Sequence, residues 1–100
     1  MSDLVLPLKG EYFDAIAADT KPEEFRIVND YWRKRLVGRS YDRIVLTRGY
    51  PKRDDHTRRL IRPWRGYVFR TITHPHFGDT PVEVFAIDVR PRQGDKQWMT

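Results

Sequence analysis

The chain has 100 residues, 39% of them hydrophobic and 33% charged, with a net charge of +5 and no cysteine. One domain of this size buries roughly 60–65% of its unfolded surface, which leaves a modest core, no room for a second catalytic domain, and surface clefts as the only sites. Disulfides, thiolate catalysis and cysteine-ligated zinc are excluded. No apolar run approaches about 18 residues and Met1-Ser2-Asp3 carries no charged n-region, so the expectation is a cytoplasmic protein with no membrane partner.

Leu4, Leu6 and Leu8 alternate with Val5, Pro7 and Lys9, which predicts a short strand; Pro7 restricts it to a sheet edge, and Gly10 closes it. From Glu11 to Ala18, Tyr12, Phe13, Ile16 and Ala17 fall on one helical face, and Asp19-Thr20 ends that helix. Pro22 disfavours helix at Lys21, and Glu24 to Val28 alternates as a second strand. Asn29 or Asp30 caps a second helix through Leu36, terminated at Gly38.

Tyr41 to Thr47, with Ile44-Val45-Leu46 at its centre, predicts a buried strand that runs into the turn Arg48-Gly49-Tyr50-Pro51. Lys52 to Arg59 reads as an exposed polar loop, Trp64 to Thr73 as a strand rich in β-formers, and His74 to Asp79 as a second loop. Val82 to Val89 alternates as the last strand. Five strands with two early helices predict an α+β domain over 1–92, a small mixed and partly closed barrel, with a loose tail over 93–100 whose Trp98 and Met99 could dock on the domain.

The most distinctive segment is Arg43 to Arg70, where nine Arg or Lys residues stand against two acids, Asp54 and Asp55, a net of +7 within a chain of +5. Tyr50, Trp64, Tyr67 and Phe69 are interleaved with them. Cations offset phosphate charge and flat rings stack on unpaired bases, so this mixture points to single-stranded nucleic acid. Arginine dominates, and its planar fork suits phosphate and ring contact. Arg48, Tyr50, Lys52, Arg53, Arg58, Arg59 and Arg65, together with Lys9 and Arg26, are the predicted RNA-binding residues.

The run Leu8-Lys9-Gly10-Glu11-Tyr12-Phe13-Asp14-Ala15-Ile16, followed by Thr20-Lys21-Pro22-Glu23-Glu24-Phe25-Arg26, resembles the signature of the ASCH (activating signal cointegrator homology) family. That pattern is an apolar strand, Tyr-Phe-x-x-Ile on a helix, then Gly-x-Lys-x-x-Glu-x-Arg, and the order of elements agrees over nearly the whole chain. The resemblance implies a PUA-like β-barrel of about five strands with two to three flanking helices. It also implies an association with RNA: binding, cleavage of single strands in some members, and hydrolysis of acetylated cytidine in another. Lys21, Glu24 and Arg26 occupy the motif positions. Asp19 stands where the family has Gly, and Glu24 where the acetylcytidine hydrolases place a threonine nucleophile; those enzymes also use a glutamate from a helical insertion with no counterpart here.

Glu24 and Arg26, two apart on a strand, project to one face, and Lys21 at the preceding turn can reach it. A carboxylate beside a cation is what general acid–base chemistry on a phosphodiester needs, so Lys21 and Glu24 are the candidate catalytic pair, with the Tyr50 hydroxyl as a further acid–base group. The plain alternative is an ordinary ion pair. His74-x-His76, with Asp79 and the distant His56, is compatible with a divalent metal but defines no ligand set, so no cofactor is expected. Ser40 and Thr47 have no base at a telling spacing, and no Gly-rich phosphate loop occurs. The leading expectation is an RNA-binding domain for single-stranded or modified RNA with weak ribonuclease activity, acting as a monomer or weak dimer. The alternatives are an RNA-directed hydrolase, cleaving single strands or modified cytidine, and a protein-interaction domain with a basic face.

Overall fold

The computed structural model describes residues 2–75 and 78–91. The order of elements is β1 (Asp3–Leu8), α1 (Gly10–Ala17), β2 (Glu23–Ile27), α2 (Asp30–Leu36), β3 (Arg43–Arg48), a 3₁₀ turn (His56–Arg58), β4 (Arg59–Pro63), β5 (Tyr67–Ile72) and β6 (Val82–Asp88). The α+β class and both helices follow the sequence expectation. The strand count does not, because the described residues form six strands, in two three-stranded sheets ordered β1-β3-β4 and β2-β6-β5. No ladder joins the two sheets among the described residues, so the strands do not close into a barrel.

The extra strand is β4. Its pairing partner is β3, with Leu60 opposite Leu46 and Ile61 opposite Val45, so it is held by a neighbour distant in sequence. Two arginines and a proline in five residues disguise it as part of the preceding polar loop, which ends at His56–Arg58. The strand expected from Trp64 is shorter, starting at Tyr67, and lies at the edge of its sheet with most of its residues exposed, which explains its weak alternation. The loose tail expected over 93–100, Trp98 and Met99 with it, lies outside the described residues, as does His76.

The core lies between the sheets. Leu4, Leu6 and Leu8 from β1, Ile44 and Leu46 from β3, and Phe85 and Ile87 from β6 meet Phe13 and Ile16 of α1 and Leu36 of α2. Because β6 is flanked by strands on both sides, Val84 to Ile87 are buried on both of its faces. No helix among the described residues is long and apolar enough to cross a membrane.

Local chemistry sets the ends of the helices. At α2 the Asn29 side chain accepts a hydrogen bond from the Trp32 amide at 2.9 Å, an N-cap. Helix α1 closes with two reversed bonds, Thr20 N–H to the Ala15 carbonyl and Asp19 N–H to the Ile16 carbonyl, around Asp19 at φ +62°. This is a Schellman closure with aspartate at the left-handed position that glycine usually fills.

Candidate nucleic-acid interface

Strands β1 and β2 are the facing edges of the two sheets. Between them lies a cleft of about 290 Å³, lined by Pro7, Leu8, Lys9, Tyr12, Lys21, Glu24, Phe25, Arg26, Ile27, Trp32 and His74. Pro7 has no N–H to donate to a neighbouring strand, and its carbonyl accepts from Arg26 Nη2 at 3.0 Å. A side chain therefore satisfies a carbonyl on this edge of β1.

The spacing argument for Lys21, Glu24 and Arg26 is matched by the geometry. Glu24 is only 5% exposed, with Oε1 at 3.4 Å from Lys21 Nζ and Oε2 at 3.1 Å from Arg26 Nη2. Lys21 is further fixed by donating to the Glu23 carbonyl at 2.7 Å and by lying over the Phe25 ring, 4.5 Å from its centroid, with Tyr12 at 5.6 Å. Arg26 stacks on Trp32 at 5.2 Å, and its Nε is buried without a hydrogen-bond partner among the described residues. Such an unsatisfied donor costs roughly 1–3 kcal/mol and calls for an explanation. Burial, and secondarily the negative charges of Glu11 and Glu24, push the Tyr12 phenol above its ordinary pKa.

The basic tract is distributed differently. Seven of its arginines fold back onto the protein. Arg43 pairs with Asp3, Arg48 with Asp14, Arg58 with Asp55 and Arg70 with Glu23. Arg59 donates to the Lys52 and Asp55 carbonyls, Arg62 to that of Val89, and Arg65 to those of Arg90 and Pro91 while pairing with Asp88. Lys52 and Arg53 are exposed and form no ion pair among the described residues. Tyr50, 91% exposed, projects from the turn between β3 and the 3₁₀ segment. That turn is anchored by Gly49, at φ +69°, whose N–H donates to the Leu8 carbonyl at 2.8 Å.

Tyr50 does not line the cleft that holds Lys21 and Glu24. It lines an adjoining one with Asp3, Leu4, Val5, Pro7, Arg26, Tyr31, Trp32, Arg35 and Tyr41. Pro7, Arg26 and Trp32 belong to both. Lys9 lies on the rim of the first cleft, and His74 enters it with its ring against Tyr12, centroids 6.0 Å apart. Among the described residues no three His, Asp or Glu side chains gather as a metal site.

The wall residues Tyr12, Phe25, Trp32 and His74 are absent from the sequence-based site. Tyr12 and Phe25 are nearest neighbours of the motif, and a signal did exist in the rings that flank Lys-x-x-Glu-x-Arg. Trp32 converges from a distant element and carries no such signal, while His74 stands out in the sequence only as a possible metal ligand. No family model matches the sequence, and neither the curated proteins nor the solved structures searched contain a match.

Proposed function

We propose that this chain is an ASCH-like domain, its two sheets the halves of an opened PUA-like barrel, that binds single-stranded or modified RNA with one nucleotide in the β1–β2 cleft. The observation that carries the reading is the Lys21–Glu24–Arg26 trio set in an aromatic-walled cleft of about 290 Å³. That volume lies at the bottom of the roughly 300–1,000 Å³ span of small-ligand pockets, room for one nucleoside rather than a strand. Rings stack on a base, Glu24 accepts from a base N–H, and Lys21 donates to a base carbonyl or a phosphate. The positive φ at Asp19 supports the resemblance, because it makes a glycine at that motif position physically intelligible.

The affinity of a labelled single-stranded oligoribonucleotide should fall with rising salt, by roughly 0.7 in the log–log slope per phosphate contacted. A flat salt response overturns the reading, and binding of an acidic protein in its place would favour a protein-interaction role. The hydrolase reading draws support from one observation, that His74 brings an imidazole into the cleft of Lys21 and Glu24. If the domain turns RNA over, Lys21→Ala and Glu24→Gln should lower the turnover rate at saturating RNA about 100-fold or more, beyond the affinity lost with their base contacts. Cleavage that survives both substitutions would remove the pair from the chemistry.

A further inference from the structure

The second cleft, of about 370 Å³, adjoins the first across the Trp32 ring and the Arg26 guanidinium. Its outer part is built by α2 and the Tyr50 turn. The Arg35 guanidinium lies 3.5 Å from the centroid of Tyr31, so cation and ring form one stacked platform on the protein surface. Tyr31 is 54% exposed and Tyr50 91%, so both rings present accessible surface to a ligand in this cleft. Arg35 makes no ion pair among the described residues, whereas the carboxylate in this cleft, Asp3, is already neutralised by Arg43 at 3.1 Å. The surface is therefore a net cationic shelf with open ring faces, continuous with the proposed base pocket.

We infer that this shelf is a second nucleotide subsite, in which Tyr31, Arg35 and Tyr50 hold the nucleotide next to the one in the β1–β2 cleft. The inference rests on the RNA-binding reading and extends it to a site of at least two nucleotides. Guanidinium planes and tyrosine faces stack on unpaired bases without regard to sequence, and the same guanidinium meets the phosphate that links the two nucleotides. Arg26, common to both clefts, lies at the junction where that phosphate passes.

The test compares a nucleoside 5′-monophosphate with a single-stranded trinucleotide, using the full chain. Wild type should bind the trinucleotide at least about five-fold more tightly, the effect of one additional stacked base. Arg35→Ala should remove most of that advantage and lower the salt slope by roughly 0.7, with monophosphate affinity unchanged. Tyr31→Ala and Tyr50→Ala should each weaken the trinucleotide by about five-fold or more, and Tyr50→Phe should behave as wild type, since stacking uses the ring. Arg33→Ala, which removes an equal charge from an exposed position on the same helix, is the control. Equal losses for Arg33→Ala and Arg35→Ala would reduce the effect to general charge and overturn the subsite. A wild type that binds the monophosphate but the trinucleotide no better loses the subsite and keeps the base pocket; one that binds neither loses both.

Discussion

Replacing Glu24 by glutamine tests whether the trio is a buried network or a surface ion pair. The carboxylate is 5% exposed and engaged at 3.1 and 3.4 Å by two cations whose side chains are 20% and 18% exposed. Removing one member of a fully buried pair costs about 3–5 kcal/mol. Here both cations keep some water and a backbone carbonyl each, Glu23 for Lys21 and Pro7 for Arg26, and glutamine retains an acceptor oxygen, so about 2 kcal/mol is expected. For a domain of this size that is a fall in Tm of about 8–16 °C. Glu23→Gln is the matched control, because its partner Arg70 is half exposed despite a 2.7 Å contact, and an exposed pair contributes about 0–1 kcal/mol. Thermal and urea unfolding of both variants should therefore separate them by at least about 1 kcal/mol. Equal losses, or a larger loss at Glu23, would refute the burial argument and return Glu24 to the status of an ordinary surface acid.

Asp19→Ala should destabilise the domain by about 1 kcal/mol in urea unfolding, because alanine keeps the Cβ that a left-handed backbone penalises but lacks the short polar side chain that lets aspartate adopt it, while Asp19→Gly, with no Cβ, should be at least as stable as wild type. Asn29→Ala removes the cap on α2 and should cost about 1 kcal/mol; since α2 carries Trp32, the wall shared by both clefts, RNA affinity measured in parallel should drop as well. The hydrogen bond from Arg90, reinforced by the charges of Arg90 and Arg65, holds the Asp88 carboxyl below the usual carboxylate range against the opposing effect of burial. Its contribution is thus complete above the unfolded value of about 3.9 and is lost as pH falls through the lower folded value. Acid unfolding of Asp88→Asn should lack that part of the decline, and an acid limb as steep as wild type would contradict it.

Local chemistry was readable from the chain wherever it was decided locally. The helical spacing of Tyr12, Phe13 and Ile16, the Asn29 cap, the edge placement of Pro7 and the shared face of Glu24 and Arg26 depend on neighbours within a few residues, and each is realised, whereas Ala17, expected on the same helical face, is exposed. Strand β4 was hidden because Leu60 and Ile61 are held by β3, across a loop whose charge dominates any window drawn around them. The partial closure expected from the number of strands in so short a chain would need pairing between the two sheets, which no periodicity encodes. The basic tract is the instructive part. Composition counts cations without saying where they point, and the fold spends Arg59, Arg62 and Arg65 on its own carbonyls. The rings of Trp32 and Tyr31 draw no notice in a helix of seven residues, yet they line the clefts.

Among the described residues β1 and β2 each leave one margin unpaired, which has a consequence for solubility. An open strand edge is a template for a second chain, and two such edges facing one opening would ordinarily invite intermolecular pairing. Here one margin carries a proline without a donor, and the carbonyl beside it is occupied by Arg26. The same guanidinium that faces the opening therefore also acts as a stopper against strand addition. Any change that frees that carbonyl, Arg26→Ala first among them, exposes the molecule to self-association, so loss of binding in such a variant is interpretable only beside a sedimentation or light-scattering record of its monomer.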